Sequence, residues 1–459
     1  MHVKGHKLEV YPGSPEKTRD SLLPKLAVKP WIKPYPPDLI LRNAQVVDPE
    51  RSSLVQGLQD VHIREGHIVS IISSQLYNAI SGNDHEQFPS IVDLGGKYLC
   101  PGLIDCHVHV TAVPGVKTVT EMARLPEEAI NLRSTYALRE MLLRGFTTVR
   151  DTGGASKVLA DAVSEGLILG PRLIQCGKAL SQTGGHSDFG PATRNTGCCG
   201  GHVQSLGRTC DGVPEVLKAT REELKAGADF IKVMCGGGVA SPTDAIETIQ
   251  FTAEEIQAIT TTCRHMGSRH TTAHAYTDAS VLHAIKNGVK GIEHGNLISS
   301  ETAKLQVLFP GLLAMINVKY RMAEKDFLPP DSKAKNEQVM EHGLEALKIA
   351  DEAGVTVCYG SDLLTSLQAL QTEEFTVRSS VLSSPKILKH ATTNAALMLD
   401  DVKIGRVAPG AYADMIILDA NPLDDITVLD YPEYHLFAVI KDGRVVTSRI
   451  NELQADVLY

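Results

Sequence analysis

No block of consecutive lysines and arginines occurs in this 459-residue chain, whose formal charge is -9 at pH 7. The electrostatic footprint of a nucleic-acid binder is therefore missing. Apolar runs of membrane-spanning length are also absent, so no membrane partner is expected. The start, Met1 to Lys7, is polar and lacks the apolar core of a signal peptide, which makes a cytoplasmic location the expectation. Cysteines number nine, an odd count scattered over a large chain, and are expected to be reduced and mostly buried. Cys198 and Cys199 share a Gly-rich stretch with Cys210, but adjacent cysteines are not the usual C-x-x-C spacing of a zinc site. Internal repeats and low-complexity tracts are lacking too. What is present is 43% hydrophobic residues, enough for one large domain and a smaller one.

Residues 1–37 are rich in Pro and Lys without a period and read as an N-terminal arm. Short alternating runs follow: Leu39 to Val47, Val61 to Ile72 around a Glu65-Gly66 turn, and Ile91 to Leu99 around Gly95-Gly96, all with hairpin signals. From Pro101 the pattern changes to strands spaced by helices. Helical periodicity predicts helices over about 127–144 and 253–266, the second opened by a Thr252/Glu255 capping box. Strand candidates are Thr147 to Asp151, Arg172 to Cys176, Asp229 to Met234, His270 to Ala275, Gly291 to His294, Leu312 to Val318 and Val355 to Tyr359. With the opening strand these make eight βα units, which predicts an α/β chain folded as a (β/α)8 TIM barrel over 101–404. Alternation returns from Asp414 to Asp419 and on both sides of a Lys441-Asp442-Gly443-Arg444 turn. The flanks 38–100 and 405–459 are expected to pair into one small β-sandwich domain. Ser181 to Gly212 and Lys319 to about Lys335 are too long for simple connections and are expected to wall the site.

Barrel enzymes place their chemistry at the C-terminal ends of strands. There the sequence puts His107 and His109, Lys232, His274, His294 and Asp362. Asp105, His107 and His109 alternate onto one face of an extended strand, so the two imidazoles form a ready chelate. A lone histidine is more often an ordinary core residue, but six polar groups at strand ends of one barrel are harder to read that way. Lys232 lies in an apolar strand, Phe230-Ile231-Lys232-Val233-Met234, where a cation is costly unless paired or neutralised. The plainer reading is a salt bridge to Asp229 or Asp151. The chemical one is an amine with depressed pKa that takes up CO2 as a carbamate.

Taken together, Pro101-Gly102-Leu103-Ile104-Asp105-Cys106-His107-Val108-His109, Lys232, Ala273-His274-Ala275, Glu293-His294-Gly295, Gly360-Ser361-Asp362, Thr392 to Ala396 and Gly405 to Leu418 resemble the metal-dependent amidohydrolase superfamily. Ser181 to Asp188 and Gly236-Gly237-Gly238-Val239 look most like its branch of prolidase-like carboxypeptidases and ochratoxin-hydrolysing amidases, with imidazolonepropionase-like enzymes nearby. The resemblance implies two divalent metals, zinc expected. His107, His109 and Asp362 would hold one and His274 and His294 the other, with a CO2-derived carbamate on Lys232 and a hydroxide bridging them. It further implies that the hydroxide attacks an amide next to a terminal carboxylate, and that Asp362 shuttles the proton. His186 and Tyr276 are candidates for hydrogen bonds to the carbonyl oxygen, although buried Tyr and His find structural partners equally often. Arg194, Arg208 and Arg321 are available cations for the substrate carboxylate.

Several other readings remain at this stage. A cyclic-amide hydrolase or lactonase would use the same centre. A deaminase of the superfamily has one metal and no strand lysine, so Lys232 counts against it. A decarboxylase on this fold and a non-catalytic barrel are the remaining options, the last disfavoured by the complete ligand set. The expected partner is a small molecule or short peptide bearing a carboxylate, and the expected assembly is a homo-oligomer.

Overall fold

In the computed structural model the described residues are 28–76, 90–117, 119–122, 124–188, 206–241, 244–267, 269–308, 313–315 and 330–456. The N-terminal flank contributes β1 (Leu39–Asp48), β2 (Ser53–Leu54), β3 (Gln59–Arg64), β4 (His67–Ser73), β5 (Ser90–Asp93) and β6 (Tyr98–Pro101). β1 changes partners midway. Leu39 to Leu41 pair with β3 and β5, whereas Gln45 and Val46 pair with β6. Asn43 stands at the changeover with φ +54, a left-handed conformation that asparagine adopts more readily than most residues. This flank and the C-terminal one bury a core that includes Leu41, Val46, Val61, Leu99, Met415 and Ile440.

The Val61 to Ile72 hairpin forms as expected, with Glu65 (φ +49) and Gly66 (φ +77) supplying the two positive-φ positions of a tight turn. Ile91 to Leu99 does not form one. β5 and β6 both run parallel to β1, and the connection between them is tied to β1 by Leu94 N to Arg42 O and Gly96 N to Asn43 O, both 2.9 Å. The open edge of β1 supplied those acceptors, so the chain continues along it rather than turning back.

The parallel part holds β7 (Leu103–Val108), β8 (Phe146–Asp151), β9 (Arg172–Gln175), β10 (Ala179–Ser181), β11 (Gly207–Thr209), β12 (Ile231–Met234), β13 (Thr271–Thr277), β14 (Gly291–Leu297), β15 (Leu313–Met315) and β16 (Thr356–Cys358). They form two sheets, β7-β8-β9 and β11-β10-β12-β13-β14-β15-β16. Every residue of β7, β8 and β12 is buried, as helix-covered parallel strands require. β9 and β10 are one course of chain broken at Gly177, whose φ is +66 and where a Cβ would lie 2.2 Å from Glu223 Oε2. Before the break the chain pairs with β8 and after it with β12. β16 and β7 meet through single bonds, Cys106 N to Tyr359 O and Asp362 N to His107 O, each 2.8 Å.

Helices Glu127–Leu143 and Ala253–His265 fall where the periodicity placed them, the second with its Thr252/Glu255 capping box formed. The stretch expected to be a loop as far as Lys335 is shorter, because helix Pro330–Ala353 already starts at Pro330, a residue suited to a first helical turn. The C-terminal flank gives β17 (Met415–Leu418), β18 (Leu436–Lys441) and β19 (Arg444–Ser448). β17 lies antiparallel on β6, Met415 opposite Pro101, so the chain enters the parallel part from a strand clamped by its own C-terminal segment. Among the described residues no helix is long and apolar enough to cross a membrane.

Candidate metal centre

The end of β7 is pinned before any ligand is considered. Asp105 accepts hydrogen bonds from Ser361 Oγ (2.6 Å), Gln371 Nε2 (2.9 Å) and the backbone N of His107 (3.1 Å), and Asp151 accepts one from the backbone N of Val110 (2.7 Å). Burial raises the pKa of both carboxyls, and those bonds work against it.

On this frame His107 Nε2 and His109 Nε2 stand 3.3 and 3.2 Å from Asp362 Oδ1, and ligand atoms of the three residues lie within 4.8 Å of one another. Which nitrogen faces the cluster is set behind each ring. His107 Nδ1 donates to Glu293 Oε2 at 2.9 Å and His109 Nδ1 to Gly153 O at 3.2 Å, since a carboxylate and a carbonyl can only accept. That leaves the Nε2 lone pairs directed at the cluster, the arrangement metal-bound histidines adopt. His274 is reversed: its Nε2 donates to Gly237 O at 3.0 Å, so Nδ1 carries the lone pair. The His274 and His294 rings are 4.5 Å apart, and His294 Nδ1 is 3.9 Å from Asp362 Oδ2. His294 (φ +82) and Asp362 (φ +49) both hold left-handed backbone. Such conformations cost about 1–3 kcal/mol each and concentrate at functional sites.

Lys232 projects from β12 into the same cavity, about 40 Å³, that His107, His109, His274, His294 and Asp362 line. It is 2% exposed, and burial pushes its amine pKa down while Glu293 and Asp362 pull partly back. Neither expected salt bridge forms. Asp229 instead accepts from Gln175 N (3.0 Å), and Asp151 from the backbone at the end of β7. Burial likewise holds His274 well below the ordinary histidine range, reinforced by His186, His294 and Lys232.

His186 and Tyr276 come to the same place. The His186 ring stacks on His274 at 4.0 Å, and Tyr276 lies 4.9 Å from His274 and 4.7 Å from His294. Of the loop arginines, Arg208 is engaged by Glu222 (2.7 Å) and Glu223 (3.0 Å); Arg194 and Arg321 lie outside the described residues. So do Cys198 and Cys199, and the Cys210 thiol is pushed up to about 12, chiefly by burial.

Sequence reasoning missed the pair beneath His107. Arg150 and Glu293 are both 0% exposed and bonded at 2.7 Å, and Thr272 Oγ1 also donates to Glu293 at 2.5 Å. Burial by itself would raise the Glu293 pKa, but Arg150, Lys232 and His107 outweigh it and hold the carboxyl well below its usual range. The signal available was Glu293 itself, adjacent to His294 in an apolar strand. A larger cavity, about 1100 Å³, lies elsewhere between Leu143, Leu344, Leu370 and Phe437. Its described lining holds no histidine, so the small histidine-lined cavity is the chemical one.

The donor set fits a divalent metal: imidazole nitrogens and a carboxylate converge, with their supporting hydrogen bonds already made. Residues 98–448 match the model of the amidohydrolase family. Ochratoxinase from Aspergillus niger is 32% identical over 352 residues, 73% of each chain. The crystal structure of a prolidase complexed with N-methylphosphonate-L-proline is similar with TM-score 0.83 and 38% identity, over 90% of this chain and 100% of that one. A Xaa-Pro dipeptidase structure with bound methionine gives TM-score 0.77 at 27% identity, over 89% and 99%. A buried histidine and carboxylate cluster at strand ends, within a chain matched over most of its length, establishes that this protein belongs to the amidohydrolase family, as a hydrolase acting on C-N bonds.

Proposed function

We propose that this chain is a binuclear metal-dependent amide hydrolase that cleaves an amide next to a terminal carboxylate. The observation that carries the reading is Lys232, a buried amine of lowered pKa lining one cavity with five ligand candidates. A neutral amine adds to CO2, forming a new N-C bond and releasing a proton, and the resulting carbamate offers two anionic oxygens. His107, His109 and Asp362 would hold one divalent ion, zinc by donor chemistry, and His274 and His294 the second, with the carbamate serving both. Bound metals of this kind lower the pKa of water to near neutrality and polarise a carbonyl. Asp362 takes the attacking water's proton and delivers it to the leaving nitrogen. Tyr276 hydrogen-bonds the carbonyl oxygen as charge develops there; His186, whose Nδ1 proton is directed at Ser241 Oγ, faces the substrate with an accepting Nε2.

The carboxylate preference rests on the prolidase, Xaa-Pro dipeptidase and ochratoxinase likenesses. A cyclic-amide hydrolase is the second reading, favoured by similarity to an imidazolonepropionase from Fusobacterium nucleatum, 22% identical over 456 residues. We read the two parallel sheets as one (β/α)8 barrel over 101–404, the flanks 38–100 and 405–459 as one β domain, and 1–37 as an arm. The protein is read as a cytoplasmic homo-oligomer with neither nucleic-acid nor membrane partners.

The test is purification with zinc and bicarbonate, metal quantified per chain, and assay on Xaa-Pro dipeptides and N-acyl amino acids. Two metals per chain, with activity sharply reduced and the second metal lost in Lys232→Ala, are expected. One metal or none with the panel silent overturns the reading.

A further inference from the structure

His186 is held from behind by a chain of buried groups. Its Nδ1 is 2.7 Å from Ser241 Oγ, and Ser241 Oγ in turn donates to Asp244 Oδ1. Because Asp244 can only accept, the serine proton is committed to it, and Ser241 Oγ accepts from His186 Nδ1-H. Asp244 Oδ2 accepts from Gly238 N and Gln250 Nε2, both 3.0 Å, while Gln250 Oε1 accepts from the backbone N of His186 at 2.9 Å. The loop after β12 passes flat over the ring: a Cβ on Gly238 would lie 2.0 Å from His186 Cε1. Lys335, near the start of helix Pro330–Ala353, closes the arrangement. Its ammonium donates to the carbonyls of Gly238 (3.2 Å), Ser241 (2.9 Å) and Asp244, and sits 3.8 Å from Asp244 Oδ1.

We propose that Ser241, Asp244 and Lys335 are positioning residues that act through His186: the chain Asp244, Ser241, His186 Nδ1-H fixes the ring's orientation and tautomer, so that Nε2 presents a lone pair, an acceptor, to the substrate. Lys335 fastens that loop to a helix packed on β14, so the ring is set by two elements rather than one loop. An imidazole free to flip offers either nitrogen, whereas one committed at Nδ1 offers a single geometry, and geometry is where positioning contributes to rate. This rests on the reading of His186 as a group facing the substrate.

The zinc-loaded full chain is assayed on Ala-Pro as wild type, Ser241→Ala, Asp244→Asn, His186→Ala and the Ser241→Ala/His186→Ala double variant, with metal content and thermal midpoint measured alongside. Ser241→Ala is expected to lower kcat/KM about 10- to 100-fold, the scale of a misplaced substrate-facing group, with metal content unchanged, and to cause no further loss once His186 is alanine. Asp244→Asn, which keeps an acceptor for Ser241, is expected to lose less. Losses that simply multiply in the double variant overturn the proposal while leaving the hydrolase reading intact. Nitrogen-15 NMR of the histidine-labelled chain without metal tests the same point without turnover. The Nδ1-H tautomer at His186, disturbed in Ser241→Ala, is expected. An Nε2-H tautomer in the wild type overturns the proposal even if Ala-Pro is not a substrate, which on its own counts only against the proposed function.

Discussion

His107, His109 and Asp362 meet with their ligand atoms within 4.8 Å, each imidazole braced through Nδ1 by Glu293 or Gly153 O. His274 and His294 approach each other only as rings 4.5 Å apart, and His274 is braced through the opposite nitrogen, Nε2, by Gly237 O. The first half of the centre carries its own negative charge in Asp362. The second holds imidazole nitrogens and Lys232, whose amine would supply negative charge only as the proposed carbamate. A carboxylate supplied by the protein organises its ligands in advance. On the proposed reading the second half would draw its charge from CO2, so its histidines are placed while its charge is conditional.

The comparison breaks most sharply at Asp362, the carboxylate that sets the first half apart. Asp362→Asn is expected to lower kcat about 10³-fold, the scale of a lost general acid/base, as read by steady-state kinetics on the metal-loaded enzyme. Next, Lys232→Ala is expected to reduce activity about 100-fold and to release the second metal while the first stays, as measured by metal analysis after dialysis. Equal loss of both would show that the halves are not independent. A smaller effect is expected at the brace of the first half. Glu293→Gln leaves Arg150 buried without its counter-charge, so it should cost about 3 kcal/mol in urea unfolding and weaken the metal held by His107 about 10-fold.

The mildest test is the pH dependence of the metal-free protein. His274 is kept neutral in the folded state, its pKa below the unfolded value near 6.5. The unfolded chain then binds the extra proton, and this contribution to stability is lost as pH falls from about 6.5. The Glu293 pKa is also depressed, so its contribution is present above about pH 4.5 and lost only below it. Urea midpoints should therefore flatten between pH 6.5 and 5 in His274→Gln, and only below pH 4.5 in Glu293→Gln. Coincident changes in the two variants would remove the distinction.

Much of this was legible beforehand, for local reasons. Period-two alternation put His107 and His109 on one face, and buried parallel strands showed as short apolar runs around Lys232, His274 and His294. The Glu65-Gly66 turn and the Thr252/Glu255 cap carry their chemistry in neighbouring residues. The Ile91 to Leu99 segment misled because its Gly-Gly turn is locally compatible with a hairpin, and the acceptors that decide otherwise belong to β1. Glu293 was passed over because its partners, His107 and Arg150, are 186 and 143 residues away. In the Asp244, Ser241 and Lys335 arrangement only Ser241 and Asp244 are near in sequence; His186 and Lys335 lie 55 and 94 residues from Ser241.

The sequence by itself determined the donor inventory and which strand ends carry it, because strand periodicity and apolar patterning are properties of adjacent residues. Only the tertiary structure decided which nitrogen each imidazole presents. A histidine has two, and the choice falls to whatever acceptor stands behind the ring: Glu293 for His107, Gly153 O for His109, Gly237 O for His274 and Ser241 for His186. All four of those acceptors lie tens of residues or more from their histidine, and they meet it only when the chain is folded.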